Sequence, residues 1–326
     1  MIVLYLLSGM VLLYLFFIVC PAVTAFFSVF SRKDGVDPDE IDPSHSYYAP
    51  YLPEMREAAS FLRAQKSTQV SLTSRDGIEL AADWYDSGAE VLAICMHGFR
   101  STPLTSFCVL GKELKSMGCD LLLVQQRAHG RSQGKRSTLG LLESGDLLEW
   151  IEWAQQHTGA KKLLLCGISM GAAAVALASD KIRSEKVRAM ILDCGFASPY
   201  EQMIQDCGKW HLPGRVMVPI IALCARLVLH VDLKTSSCDS LAQTKIPAFF
   251  LHGTADISVT PAQGQKCFAA CASEKELLLV DGAQHTVSLM AGGEPAKQRI
   301  RAFVRKYVFR SEAAESISGA PLPERF

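Results

Sequence analysis

The chain has 326 residues, 49% of them hydrophobic, and its 33 lysines and arginines balance 33 aspartates and glutamates. That length suits one large α/β domain with a buried core, or two small ones, and a net charge of zero gives no electrostatic reason to expect a nucleic-acid partner. The 11 cysteines lack C-x-x-C spacing. We expect small buried thiols, because disulfide frameworks are typical of short secreted chains.

Residues 1–30 contain no charged side chain. About 20 helical residues cross the hydrocarbon layer of a bilayer, so we predict a transmembrane anchor over 1–30, with a kink or an end at Pro21. A cleaved signal peptide is the main alternative, but a basic start and a small-x-small cleavage site are not evident. A buried core helix would carry a polar face. Arg32 and Lys33 follow the segment and favour a cytoplasmic position for the rest of the chain.

Residues 31–69 are predicted to be a polar linker that ends in a short amphipathic helix, "EMREAASFLRAQ". Beyond them, apolar strands alternate with helices, which predicts a mainly parallel sheet covered on both faces. The first two strands, on either side of "RDG", are expected to form an antiparallel hairpin. The predicted strands lie at 69–74, 79–85, 91–98, 120–127, 161–168, 187–195, 248–253 and 275–282, and the predicted helices at 106–118, 143–157, 171–180 and 296–308.

Residues 70–311 are therefore expected to form one domain, with an insertion at about 197–244 that interrupts the alternation. The insertion contains "RVMVPIIALCARLVLHV", which is apolar enough for a short helical lid over a site. A helix packed on the core is the alternative interpretation. Residues 312–326 are predicted to be a flexible tail.

The segment "CGISMG" places Ser169 between Gly167 and Gly171, after a predicted strand and before a helix of small residues. In that context G-x-S-x-G is typical of a nucleophile elbow, a turn too sharp for side chains at the flanking positions. The turn exposes the serine oxygen and aims the N–H of Met170 at the reacting carbonyl. Ser169 is thus the candidate nucleophile, with Met170 as one oxyanion donor.

A serine hydroxyl needs a base to take its proton. His285 follows the last predicted strand and is the candidate base, while Asp256 follows the strand before it and would hold the other imidazole nitrogen. Both loops are expected at the edge of the sheet where ligands bind. Asp193, which follows the strand after the elbow helix, is the alternative acid.

A second oxyanion donor is expected from "MHGF", where Gly98 permits a close turn and the N–H of Phe99 is the candidate. We expect His97 to be structural. The histidines lack metal-ligand spacing, so the sequence predicts no metal, and no cofactor is predicted.

Together these segments resemble the α/β-hydrolase superfamily: "HGF" (97–99), "QQRAHGRS" (125–132), "GISMG" (167–171), "HGTADISVTP" (252–261) and "GAQH" (282–285). "GISMG" followed by "LDCGF" looks like the bacterial membrane-anchored serine hydrolases, and more distantly like serine peptidases and lipases. The segment "QQRAHGRS" corresponds to a stretch that usually reads D-x-R-G-H-G-x-S in the family. In this chain Gln125 replaces the aspartate, and Ala128 replaces the first glycine. The resemblance implies an α/β-hydrolase fold with an eight-stranded, mostly parallel sheet and a lid after the sixth strand.

The expected activity is hydrolysis of carboxylic esters through an acyl-enzyme at Ser169, with hydrophobic or lipid-like esters favoured. The expected partners are a small-molecule or lipid ester and, through the N-terminal helix, the membrane. A serine peptidase, thioesterase or acyltransferase would use the same residues. A membrane-tethered pseudo-hydrolase that binds partners without catalysis is the alternative of another class.

Overall fold

One sheet of eight strands forms the centre of the molecule, and its strands come from the apolar runs of the sequence. The structure is a computed structural model that describes residues 1–309 except 34–36, 38 and 44. The strands are β1 (Thr68–Thr73), β2 (Glu79–Tyr85), β3 (Val91–Met96), β4 (Cys119–Gln125), β5 (Lys162–Ile168), β6 (Val187–Asp193), β7 (Ala248–Gly253) and β8 (Lys275–Val280).

The strand order across the sheet is β1-β2-β4-β3-β5-β6-β7-β8. The β1–β2 and β2–β4 pairs are antiparallel, and the other neighbouring pairs of the sheet are parallel. Met96 lies opposite Gly167, and Ile168 lies opposite Asp193. The loops that follow these strands therefore leave from one edge and can share a site. This sheet confirms the predicted fold class.

Both faces of the sheet are buried along the inner strands β3 to β7, as their continuous apolar runs predict. In β3, Cys95 belongs to the core around Phe107, whereas its neighbour Ile94 belongs to the core around Trp150. This alternation follows from the two-residue repeat of a strand. Helices α3, α4 and α12 cover the first face, and α5, α6, α9 and α10 cover the second.

The helices are α1 (Ile2–Tyr14), α2 (Cys20–Phe30), α3 (Leu52–Arg63), α4 (Pro103–Ser116), α5 (Leu141–His157), α6 (Met170–Ala178), α7 (Pro199–Lys209), α8 (Gly214–Val228), α9 (Ser237–Leu241), α10 (Pro261–Ala270), α11 (Ser288–Ala291) and α12 (Gly293–Val304). A 3₁₀ helix spans Ser46–Tyr51, and π-helical turns span Leu15–Val19 and Arg305–Phe309. Helices α7, α8 and α9 form the insertion between β6 and β7.

The N-terminal helix runs from Ile2 to Phe30 and does not end at Pro21. A proline ring collides with the carbonyl four residues earlier. The π-helical turn lies directly before Pro21, and in it the Cys20 N–H bonds to the carbonyl of Leu15, five residues back. The wider π-helical turn accommodates the proline, so the helix continues through Pro21 instead of ending there. One long apolar helix is therefore present where the sequence predicts the anchor.

Helix α10 has no counterpart in the sequence predictions, and Gly264 explains why. A Cβ at Gly264 would collide with the ring of His252, so the position requires glycine. Glycine has a low helix propensity, and its presence inside α10 weakens the helical pattern of the sequence. The domain boundaries at 70 and 311 stay predictions, and the tail 312–326 lies outside the described residues.

The loop after β4 is tied to helix α5 by a buried ion pair. The guanidinium of Arg127 donates to Asp146 at 2.7 and 2.5 Å and to Asp76 at 2.8 Å. The Arg127 and Asp146 side chains are only 6% and 3% exposed. Burial raises the pKa of Asp146 to about 6 despite the attraction of Arg127. This carboxylate therefore depends on its partner to stay charged.

We expect Arg127→Ala to lower the free energy of unfolding by about 3–5 kcal/mol, because Asp146 would be left buried without its cation. The double variant Arg127→Met/Asp146→Leu removes both charges and should lose less. Equilibrium urea unfolding in detergent micelles, followed by tryptophan fluorescence, measures both. A double variant less stable than Arg127→Ala would contradict this reasoning.

Candidate active site

Ser169 occupies a strained turn between β5 and α6. Strand β5 ends at Ile168 and the helix begins at Met170, so one residue makes the whole connection. Its φ of 55° and ψ of −115° lie outside the regions that side chains favour. The Ser169 N–H donates to the Asp193 carbonyl at 2.8 Å, and the Ser169 carbonyl accepts from the Ala173 N–H at 3.0 Å. Bonds on both sides thus hold the strained backbone in place.

The two glycines allow this turn to form. A Cβ at Gly167 would lie 2.5 Å from the Cα of Ala172, and a Cβ at Gly171 would overlap the carbonyl of Met96. Helix α6 therefore approaches β3 and β5 more closely than any side chain at these positions permits. Both glycines therefore lie where a side chain would collide with neighbouring backbone.

Three side chains from separate loops meet beside this turn. The Nε2 atom of His285 lies 3.0 Å from the Oγ of Ser169, and its Nδ1 atom lies 2.7 Å from Oδ2 of Asp256. A carboxylate only accepts hydrogen bonds, so the Nδ1 hydrogen points to Asp256 and Nε2 is left to accept from the serine hydroxyl. The arrangement can activate a hydroxyl nucleophile.

Asp256 is held as an anion. Its side chain is fully buried, which opposes ionisation, but contacts with His252 and His285 outweigh burial and lower its pKa to about 2. The backbone N–H groups of Ser258 and Val259 donate to its other oxygen at 2.8 and 2.9 Å. The carboxylate is therefore fixed in position as well as in charge.

Asp193, the alternative acid, has a different environment. Burial raises its pKa to about 7, and within the described part of the chain its Oδ1 atom has no hydrogen-bond partner. Its backbone carbonyl, not its carboxyl group, contacts Ser169. The geometry thus favours Asp256 over Asp193 as the partner of His285.

The loop after β3 brings a further backbone donor to the site. A Cβ at Gly98 would lie only 3.6 Å from the Cβ of Ser169. The Gly98 N–H donates to Ser106 and the Arg100 N–H donates to Nε2 of His129. Among the described residues, no acceptor engages the Phe99 N–H between them.

Phe99 and Met170 line the same cavity as Ser169. The N–H of Met170, in the first turn of α6, has no partner inside the helix. The two residues predicted as oxyanion donors therefore both flank the serine. His97, predicted to be structural, is fully buried and bonds to the Gly98 carbonyl and the Gln126 N–H.

Ser169 lines a cavity of about 450 Å³, a size typical of small-molecule sites. Helices α7 and α8 supply apolar walls that include Met203, Met217 and Ile221. Sequence reasoning missed the segment before α3, from which Tyr48 donates or accepts a hydrogen bond at 2.8 Å with Thr286, next to His285. The aromatic pair in "HSYYAP" was the available signal.

Cys194, Asp256 and His285 each place one possible metal-ligating atom within 4.8 Å of the others. Burial keeps the pKa of the Cys194 thiol well above its usual value, which disfavours the thiolate that a metal such as Zn²⁺ requires. A metal here would also take His285 away from Ser169. The prediction of no metal stays a prediction.

One family model and several proteins of known sequence are similar to this chain. A family model described as the alpha/beta hydrolase fold matches residues 94–223. The chain is 24% identical over 218 residues to the uncharacterized protein YqkD of Bacillus subtilis (65% of this chain, 70% of that protein). It is 25% identical over 262 residues to the uncharacterized protein Rv2307c of Mycobacterium tuberculosis (79% and 85%).

Several solved structures are similar in fold. The Pyrococcus furiosus esterase Pf2001 matches with a TM-score of 0.63 and 19% identity, covering 84% of this chain and 98% of that chain. Est1E from Butyrivibrio proteoclasticus, with ferulic acid bound, matches with a TM-score of 0.55 and 17% identity, covering 74% and 100%.

Gly171→Ala is expected to destabilise the protein by about 3 kcal/mol or more, because the new Cβ meets the backbone of β3. Gly145→Ala is the matched control: it also lies inside a helix, is exposed, and has no atom within 4 Å of an added Cβ. That substitution should raise stability by up to about 1 kcal/mol. Thermal unfolding by circular dichroism measures both, and a wild-type Tm for Gly171→Ala would show that the elbow is looser than described.

Proposed function

We propose that this chain, a member of the α/β-hydrolase superfamily, is a membrane-anchored serine esterase that acts on hydrophobic or lipid-like carboxylic esters. One observation carries the proposal: the hydrogen-bonded series Ser169–His285–Asp256 at the wall of an apolar cavity. The name of one structural neighbour, the Pyrococcus furiosus esterase Pf2001, agrees with it.

The geometry supports the following mechanism. Ser169 Oγ attacks the ester carbonyl carbon while His285 Nε2 takes its proton, and Asp256 stabilises the resulting imidazolium. The N–H groups of Phe99 and Met170 bind the oxyanion. The alcohol leaves with the proton from Nε2. Water, deprotonated by His285, then attacks the acyl carbon. The bond to the Ser169 oxygen breaks, this oxygen takes the proton back from Nε2, and the carboxylic acid is released.

The anchor rests on the N-terminal helix, which is long and apolar enough to cross a bilayer. A signal sequence would meet the same criterion. Ala22, Phe26 and Phe30 are fully buried against the rest of the chain, and their removal would expose the apolar surface that they cover. This packing supports retention of the helix, and Arg32 and Lys33 after it favour a cytoplasmic esterase domain.

A fluorophosphonate probe should label the wild-type protein covalently and fail to label Ser169→Ala. Ser101→Ala is the control, because it removes another serine hydroxyl from the same cavity and should label like the wild type. Gel fluorescence measures the labelling. A folded wild type that stays unlabelled would instead support a non-catalytic binding protein.

Asp256→Asn should lower kcat by about 10⁴-fold, because an amide no longer holds the required imidazole tautomer. Asp193→Asn should stay within about tenfold of wild type, since its carboxyl group does not contact His285. Steady-state hydrolysis of p-nitrophenyl octanoate compares the two. A larger loss for Asp193→Asn would reverse the assignment of the acid.

p-Nitrophenyl esters from acetyl to palmitoyl test the substrate class. The apolar cavity predicts that kcat/KM rises with acyl length up to octanoyl or longer, because each buried methylene contributes about 0.8 kcal/mol of binding free energy. A preference for acetyl to butyryl esters would contradict the lipid-like substrate and leave the esterase activity standing.

A further inference from the structure

We propose that the end of the N-terminal helix, Cys20–Phe30, is a wall of the substrate cavity, and that Ala25 and Val29 set the length of the acyl chain accepted. This inference rests on the proposed esterase function and deepens it. It makes the helix a specificity element in addition to an anchor.

The first step is the docking of α2 on the rest of the chain. Residues 2–17 are almost entirely exposed, whereas Ala22, Phe26 and Phe30 are fully buried. Their spacing of four residues places them on one stripe of the helix. They pack in one apolar cluster with Val218 and Ala225 of α8.

The second step is the position of the neighbouring stripe. Ala25 and Val29 are half-buried, lie four residues apart, and line the same cavity as Ser169. Met217 and Ile221 of α8 line it as well, and all four residues belong to the apolar cluster of α2 and α8. An acyl chain bound with its carbonyl at Ser169 gains most by lying on this apolar side.

The third step is the attachment of the helix end to the loop that carries Phe99. The guanidinium of Arg100 donates to the carbonyls of Ser28 and Val29 in the last turn of α2. Cations are favoured at that end of a helix. Because Arg100 directly follows Phe99, the helix position and the oxyanion loop are fixed together.

Further bonds lock the exit of the helix. The Ser137 N–H donates to the Phe30 carbonyl at 2.9 Å. The guanidinium of Arg32 donates to the carbonyls of Gly130 and Ser132 at 2.6 Å each, and that of Arg136 lies 4.9 Å from the ring centre of Phe27. These bonds fix the distance between the wall and Ser169. The wall can therefore limit the length of the acyl chain that fits in the cavity.

The test adds bulk to this wall. Ala25→Phe and Val29→Phe fill cavity space, and Thr24→Phe places the same ring on the exposed face of the same helix. In detergent micelles, the two cavity variants should lose at least about tenfold in kcat/KM for palmitoyl and octanoyl esters, while the acetyl ester stays within about twofold. Thr24→Phe should match the wild-type profile. Val29→Ala, which enlarges the cavity, should shift the preferred ester to a longer chain.

Acyl binding without turnover gives an independent readout. Cis-parinaric acid, a fluorescent fatty acid, should bind Ser169→Ala, and adding Ala25→Phe should raise its Kd at least about tenfold, while Thr24→Phe leaves it unchanged. Circular dichroism checks that each variant is folded. If a phenylalanine variant is unfolded, Val29→Ala tests the wall in its place. A wild-type chain-length profile or Kd in the folded cavity variants overturns the proposal. Position-dependent probe binding by a protein that hydrolyses no ester would overturn the esterase function and support the wall.

Discussion

The close approach of helix α6 to the sheet is the constraint on which the site depends. It is possible only because Gly167 and Gly171 lack side chains, and it forces Ser169 into a backbone conformation that costs on the order of 1–3 kcal/mol. Because a single residue joins strand to helix, the Ser169 hydroxyl lies at the sheet edge beside the N–H groups of the first helical turn, as the proposed mechanism requires. A longer and relaxed loop would separate the hydroxyl from those donors.

Three buried histidines, His97, His129 and His252, hold the loops around the Ser169 turn in position. His97 bonds the β3 loop to the Gln126 N–H, and His129 returns from the β4 loop to accept the Arg100 N–H. Burial lowers the pKa of His97 to about 3, so this ring stays neutral and keeps one nitrogen as an acceptor. His252 donates to the Val259 carbonyl and contacts Asp256. These three rings position loops, while His285 alone among the four contacts Ser169 through its side chain.

The positions of Ser169, Asp256 and His285 at one edge of the sheet could be predicted, because each residue follows a strand that its own local sequence marks. Gly167, Ser169 and Gly171 lie within one strand–turn–helix unit, and Asp256 and His285 each follow an apolar strand whose end must reach the same edge. Two features were not predictable. The aromatic pair Tyr47–Tyr48 marks its segment, but nothing in the sequence marks Thr286, 238 positions away, as the hydrogen-bond partner of Tyr48. The packing of α2 on α8 is the second such feature. The N-terminal helix was predicted from its hydrophobicity, which does not distinguish a face that contacts lipid from a face that packs on another helix.

Two stripes of helix α2 have different surroundings. Ala22, Phe26 and Phe30 are buried against the rest of the chain, whereas Ala25 and Val29 line the cavity. If the long apolar helix crosses a bilayer as we propose, the domain lies close to the membrane surface, because the docked segment continues directly from the exposed part of the same helix. Leu223 and Leu227 of α8, the helix on which α2 packs, are 56% and 67% exposed. A membrane close to the domain would cover these apolar side chains, which otherwise face water.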